Sequence, residues 1–355
     1  MKKCTNKILW EHVNVPIPCV KTAGIRNLKI ILSIILIAGL FAGCAAEREK
    51  KCSINPLFKL DNLKNGDAKF FGENILASVG GKLYLFDRDG TNIARYDINA
   101  NWISVLEEER TIVYGSFDKT VGICRINKEN VLVENQIILA SENLMIDPAV
   151  LKAGDRYYIT ATHIDGTVNN ADPDKINGRY TVKLYVSKDM KQWDYISDIV
   201  DVNFNVEDVR LYNYNGKLQL VYEQELVDKG RSSIRMKESE DFGATWGDSR
   251  VLVDCDGDNE PGVLQREKAG DYCFYFSSDK ENPGKSYDGA YIYELHLDKQ
   301  FIPDSECRKI ELDDKEGRLL FDVKSKSEYI YLLSEGNYIK DGNLILEEWN
   351  RRNET

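Results

Sequence analysis

An all-β propeller of five or six four-stranded antiparallel blades is the architecture this sequence predicts, on three observations. Short segments with period-two alternation, such as Lys82–Phe86, run to the end of the chain, and none after residue 43 keeps a helical period. One unit recurs: an acidic or polar start, a strand, a glycine turn and an aromatic-rich strand. A second strand pair follows each clear copy and carries a shared polar tail.

Three copies are clear. Asp147-Pro148-Ala149-Val150-Leu151 leads through Gly154 to Tyr157-Tyr158-Ile159-Thr160. Glu207-Asp208-Val209-Arg210-Leu211 leads through Asn215-Gly216-Lys217 to Leu220-Val221-Tyr222. Glu260-Pro261-Gly262-Val263-Leu264 leads through Gly270 to Tyr272-Cys273-Phe274-Tyr275-Phe276. Weaker copies pair Ile75-Leu76 with Leu83-Tyr84-Leu85, Ile103-Ser104-Val105 with Ile112-Val113-Tyr114, and Gly317-Arg318-Leu319 with Tyr329-Ile330-Tyr331. Four-stranded units repeating every ~40–60 residues are the mark of a propeller, because one blade cannot bury its own two faces. A β-sandwich is the alternative, and the repetition argues against it.

The chain has 355 residues, with 47 Lys+Arg against 58 Asp+Glu, a net charge of −11. That balance argues against a nucleic-acid partner, which asks for a basic face. Apolar residues are 43 % and charged residues 30 %, values of a globular chain. With three His, a multi-His metal centre is disfavoured, and no HExxH, GxGxxG, Walker loop or GxSxG elbow is present.

The long apolar run Ile30–Ala42 follows Lys21, Arg26 and Lys29 and ends Leu40-Phe41-Ala42-Gly43-Cys44. At about 13 residues it has the length of a signal h-region rather than a membrane span. The ending resembles a bacterial lipobox. That resemblance implies residues 1–43 as a lipoprotein signal peptide, Cys44 as the lipidated residue and a location at the cell membrane or surface; an uncleaved anchor helix is the alternative. Residues 44–67 then read as a tether and 68–350 as the propeller domain, expected as a monomer. Residues 1–43 carry six Lys/Arg and one acid, so the remainder carries −16. Five other cysteines follow Cys44: Cys52, Cys124, Cys255, Cys273 and Cys307. A Cys255–Cys273 disulfide and buried free thiols both fit that count.

Ser239-x-Asp241-x-Gly243-x-Thr245-Trp246 matches S-x-D-x-G-x-T-W and resembles the Asp box of the sialidase superfamily. Such a turn stabilises a blade: the Asp accepts backbone N–H bonds and Gly243 supplies an unusual φ. Ser187-x-Asp189 with Trp193 is a shorter form, similar to turns of five-bladed arabinanase- and xylosidase-like glycoside hydrolases. Asp147-Pro148 with Tyr157-Tyr158 looks like the blade opening of those enzymes. Glu207-Asp208-x-Arg210 resembles an element of mannoside phosphorylases and fructan-acting enzymes, and Glu260-Pro261 looks like the blade that bears their catalytic acid.

The resemblance implies a carbohydrate substrate or ligand and a carboxylate trio, with Asp147 as base, Asp208 as modulator and Glu260 as acid. Arg210, Tyr158 and Tyr212 are the candidate substrate-binding residues; Tyr157, Tyr212, Tyr214, Trp102 and Trp193 are candidates to stack on sugar rings, with packing between blades as the alternative for most of them. In the bland alternative each acid caps a turn or bonds a neighbouring blade's backbone. A non-catalytic glycan- or protein-binding propeller and a sialidase are the competing functions. The sialidase reading needs three Arg residues in one site, and Arg210, Arg231, Arg235 and Arg318 form no convincing motif. No cofactor is called for. Asp254, Asp256 and Asp258 around Gly257 resemble part of a calcium loop, and the polar loop His163–Arg179 is placed to overhang the site.

Overall fold

The computed structural model describes residues 54–61, 63, 66–166, 178–226, 230–267, 270–312, 317–336 and 342–350. They form six four-stranded antiparallel sheets. Blade one holds β2 (Ala68–Phe71), β3 (Asn74–Val79), β4 (Lys82–Phe86) and β5 (Asn92–Asn99); blade two β6 (Trp102–Leu106), β7 (Thr111–Ser116), β8 (Thr120–Ile126) and β9 (Leu132–Ala140). Blade three holds β10 (Leu144–Ala153), β11 (Arg156–Asp165), β12 (Arg179–Ser187) and β13 (Asp194–Val202); blade four β14 (Asn205–Tyr214), β15 (Lys217–Glu225), β16 (Ser232–Ser239) and β17 (Arg250–Val253). Blade five holds β18 (Asn259–Arg266), β19 (Tyr272–Ser278), β20 (Tyr291–Leu297) and β21 (Arg308–Lys309). Blade six takes β22 (Arg318–Lys326), β23 (Tyr329–Gly336) and β24 (Asn343–Asn350) from the C-terminal end and β1 (Ile54–Asp61) from the N-terminal end. The strands β2, β6, β10, β14, β18 and β22 contact one another in that order and line the axis.

The strand β1 corrects the expected tether: Ile54–Asp61 lies within 44–67 and pairs with β24 from Ile54↔Trp349 to Asp61↔Asn343. Pro56 sits where the register shifts, as suits an outer strand that donates to no further neighbour. The first weak copy is also displaced by one strand: Ile75 and Leu83 lie on β3 and β4, and the inner strand is Ala68–Phe71.

Six apolar clusters fill the six gaps between blades. In β19, Tyr272, Phe274 and Phe276 face blade four while Cys273 and Tyr275 face blade six. A strand buried on both faces reads as a continuous apolar run, which is how these second strands look in sequence. Closer to the axis, a side chain of each blade accepts a backbone N–H of the next inner strand, and this happens at all six gaps. Ile103 N donates to Asp67 Oδ2 at 2.8 Å, Val150 N to Ser104 Oγ at 3.1 Å and Asp208 N to Asp147 Oδ2 at 2.8 Å. Leu264 N donates to the Tyr212 hydroxyl at 3.0 Å, Leu320 N to Ser277 Oγ at 2.8 Å and Phe70 N to Asp322 Oδ2 at 2.8 Å.

At the rim, Asp241 Oδ1 accepts the N–H of Thr245 and Ser239 Oγ accepts that of Gly243. Gly243 has φ +93°, and a Cβ there would meet Leu184 Cδ2 at 2.1 Å, so the position takes no other residue without displacement. Trp246 Nε1 and the Gly243 carbonyl both bond Ser197 Oγ, which ties this turn to blade three. Asp87, Asn127, Asp189 and Asp298 accept backbone N–H groups in the corresponding turns of blades one, two, three and five. In three of them, Asp87, Asn127 and Asp298, no Trp marks the motif in sequence.

Deleting residues 54–61 exposes the whole edge of β24 and is expected to lower the melting temperature by more than about 10 °C and to promote self-association. Calorimetry with size-exclusion chromatography checks this; an unchanged melting point would show that the ring closes without β1. Replacing Asp322 tests the hydrogen-bond ring: Asp322→Ala leaves the Phe70 N–H unpaired at a cost of about 1–3 kcal/mol, and Asp322→Asn, which keeps an acceptor, costs less.

Candidate functional site

The inner strands of blades three to six each carry one extra residue opposite their second strand. The bulges fall between Ile146 and Ala149, Glu207 and Arg210, Pro261 and Val263, and Leu320 and Asp322. Asp147 and Asp208 occupy the first two with φ of 49° and 50°, a left-handed conformation that Asp tolerates better than most residues. The turned backbone aims both carboxylates at the axis. Counted from its own bulge, Glu260 corresponds to Glu207 and not to Asp208: Val263 opposes Tyr275 as Arg210 opposes Val221, and Glu260 opposes Ser277 as Glu207 opposes Glu223.

A cavity of about 690 Å³ lies at this end of the axis. Asp147, Asp208 and Arg210 form part of its wall, with Asp67, Trp102, Phe117, Tyr180, Tyr287 and Glu335 around them. Trp102 meets Phe117 edge to face at 4.9 Å, and Phe117 is 63 % exposed, so the mouth offers a bare aromatic surface. Arg210 Nη2 stands 3.5 Å from Asp208 Oδ1.

Glu260 does not form part of this wall, although the next residue, Pro261, does. It sits behind Asp208 in a buried acidic layer with Glu223, Glu225 and Asp258. Carboxylate oxygens of Asp208, Glu223 and Glu260 lie within 4.8 Å of one another, and so do those of Glu223, Glu225 and Asp258. Either set has the hard oxygen donors that a divalent cation takes. The calcium reading of Asp254, Asp256 and Asp258 does not hold as a set: Asp254 and Asp256 turn outward to Arg231, at 3.1 and 3.9 Å, while Asp258 turns inward to Ser286 Oγ at 2.5 Å.

Burial, then the Asp208 carboxylate, pushes the Asp147 carboxyl up to about 7 against the pull of Arg210 and the Asp208 N–H. Burial and the neighbouring Glu223, Asp258 and Asp208 raise Glu260 well above the carboxylate range. Burial and the negative charges of Glu260 and Asp208 likewise keep Tyr287 a neutral phenol. Glu335 is raised to about 8, by burial and then by Asp67. The arrangement therefore sets neutral carboxylic acids beside Asp208, the composition that proton transfer to and from a bound molecule requires.

Tyr158 and Tyr212 correct the expected binding set. Tyr158 is 2 % exposed in the core between blades three and four, and Tyr212 stacks on Tyr214 while its hydroxyl accepts Leu264 N–H. Neither reaches the cavity. The four arginines of the sialidase reading scatter: Arg210 lines the cavity, Arg231 pairs with Asp254, Arg235 bonds Ser249 Oγ, and Arg318 lies buried near Glu347. The middle of the loop 163–179 lies outside the described residues; Ile164 and Gly166 at its root line the cavity. Cys44 also lies outside the described residues. Sequence reading missed Glu223 and Glu225, whose signal is two acids directly after the strand core Leu220-Val221-Tyr222, and Tyr287, which carries none.

No family model matches the chain, and no curated protein matches it. Among solved structures it is similar to a β-1,2-mannobiose phosphorylase from Listeria innocua (12 % identity, TM-score 0.47), over 86 % of this chain and 95 % of that one. It is similar to an endo-arabinase from Bacteroides thetaiotaomicron (14 % identity, TM-score 0.48), over 69 % of this chain and 91 % of that one. It is also similar to a Trypanosoma rangeli sialidase (12 % identity, TM-score 0.40), over 81 % of this chain and 59 % of that one. Likeness at this level assigns no activity, and the blade count follows from the strand pairing itself.

The raised acids give a stability prediction. Asp147 and Glu335 rise from 3.8 and 4.5 to about 7 and about 8 on folding, so the folded state holds the extra protons across that interval. Their contribution is complete below about pH 4 and is lost as pH rises through 7 to 8. Denaturant titrations at pH 5 and 8 are expected to show Asp147→Asn removing about 2–4 kcal/mol of the wild-type decline. An identical decline in the variant would mean that Asp147 ionises in the fold as it does unfolded.

Proposed function

We propose that this chain is a lipid-anchored cell-envelope protein whose axial cavity binds a glycan and cleaves a glycosidic bond with carboxylic acid chemistry. The observation that carries the reading is the meeting of Asp147 and Asp208 in one cavity wall, beside Arg210 and the half-buried Trp102 with its exposed partner Phe117, with Glu260 close behind. The wall position redistributes the expected roles. Asp147, raised to about 7, is placed to give a proton to the leaving oxygen, and Asp208 to activate water or attack the sugar. Glu260, kept neutral behind Asp208, hydrogen-bonds and orients it. Trp102 and Phe117 stack on a sugar ring, and Arg210 bonds its hydroxyls. The −16 charge of the chain beyond residue 43, with Arg210 and Lys119 the basic residues of the cavity wall, favours a neutral glycan over a sialoside.

One observation favours a binding propeller instead: Asp147 spends one oxygen on the Asp208 N–H, the structural bond that the other five gaps also make. Aryl glycosides assayed beside glycan-array binding separate the two. In the hydrolase, Asp208→Asn lowers kcat by at least about 10³-fold with KM little changed, and the wild-type rate falls as pH rises through about 7. Retained array binding with no hydrolysis of any glycoside would assign the cavity to binding alone. For the anchor, the mature protein from a bacterial membrane is expected to begin at residue 44 with acyl chains on its sulfur; an N-terminal peptide that begins upstream, unmodified, would remove the lipoprotein reading.

A further inference from the structure

Outside the cavity, the crossover from blade four to blade five brings two sulfur atoms together. Cys255 follows β17 by two residues and Cys307 immediately precedes β21. Their side chains are in hydrogen-bonding contact, both are half-buried, and both pack against the cluster that fills the gap between blades four and five. We propose that Cys255 and Cys307 form a disulfide that staples this crossover to the outer edge of blade five.

The local structure says why a staple belongs there. The outer strand β21 has two residues, Arg308 and Lys309, and pairs with Tyr293 and Glu294 alone; the outer strands of the other blades run from four to nine residues. The crossover is preset from the other side: Asn259 Nδ2 donates to the carbonyls of Cys255, Gly257 and Ser232, at 3.2, 2.8 and 2.8 Å, and holds the turn that carries Cys255. A covalent bond between these two positions supplies at the edge what the ladder lacks. The pairing of Cys255 with Cys273 is excluded by the sheet itself. Cys273 is fully buried on the face of blade five that meets blade six, and Cys255 lies on the face that meets blade four. Cys124 is buried in blade two, in the gap between blades one and two.

The chemistry is thiol–disulfide exchange with an external disulfide, either a small-molecule disulfide or that of a thiol oxidoreductase. Contact with Cys307, together with the Lys280 ammonium, lowers the Cys255 thiol to about 6 against the opposing effect of burial, so Cys255 is the attacking thiolate. It displaces one thiolate from the external disulfide and leaves a mixed disulfide on Cys255. Cys307 then loses its proton, attacks the Cys255 sulfur and expels the second thiolate. Two protein thiols are oxidised and one external disulfide is reduced to two thiols. In the cell the bond rests on the envelope location proposed above; in the purified protein it rests on geometry alone.

Purified protein is incubated with oxidised glutathione and mapped without reduction. A Cys255–Cys307 cross-linked peptide is expected, with two thiols lost and a melting temperature about 5–10 °C higher that dithiothreitol reverses. Cys255→Ser and Cys307→Ser each abolish the redox-dependent shift, and Cys273→Ser and Cys124→Ser leave it. The Cys255→Ser/Cys307→Ser double variant, melting like the reduced wild type, serves as the folding control. An unchanged thiol count, or Cys255 joined to another residue, overturns the pairing. A second arm traps thiols by alkylation in intact cells: a bond that forms in the purified protein and is absent in cells overturns the envelope location and leaves the pairing standing.

Discussion

Every blade of this propeller depends on the next accepting its inner strand, because none buries both faces alone. The six apolar clusters supply the bulk of that attachment, and the side chain to backbone bonds near the axis give it register. Apolar packing between sheets tolerates small slips. A carboxylate or hydroxyl bonded to one particular N–H does not, so each bond sets the height at which one blade meets its neighbour. The same constraint explains the acids that open the repeats. Asp67, Asp147 and Asp322 serve first as joints, and the cavity is built around joints that are already in place.

That double use accounts for the unusual electrostatics. Ionised carboxylates are costly to bury, and this axis gathers Asp147, Asp208, Glu223, Glu225, Asp258 and Glu260 against Arg210 and Lys119 in the adjoining wall. Protons take the place of missing cations, which is why burial and like charge both push Asp147, Glu223 and Glu260 upward. The excess acidity that sequence composition shows as a single net number is therefore divided. Part lies in solvated turns such as Asp241, whose accepted hydrogen bonds hold it down to about 2, and part is neutralised inside.

Much of this was legible in the residues. The copies opening at Asp147, Asp208 and Glu260 lie on inner strands, and the four-strand unit is the blade. Legibility failed where the information was not local. Ile54–Asp61 looks like a polar tether because its blade-mates lie at the other end of the chain. The phase of Glu260 depends on where a bulge falls, and a bulge is a property of a pair of strands. Tyr158 and Tyr212 look available in a list of aromatics, yet whether an aromatic faces a gap or the axis depends on sheet geometry. Glu223 and Glu225 were readable in principle, as acids directly after the strand core Leu220-Val221-Tyr222.

The borrowed strand of blade six also sets a condition on how the molecule comes into being. Residue 54 pairs with residue 349, so the first of the described strands must wait for nearly the last before its ladder can form. Contacts of that sequence separation are slow to close, since the entropy of the intervening chain is lost before any bond is gained. During synthesis the other five blades can stack as an open arc with two raw faces, and the arc becomes a ring only when the C-terminal hairpin arrives. Conditions that delay that arrival leave both faces available to a second copy, so misassembly of this protein should begin at the seam.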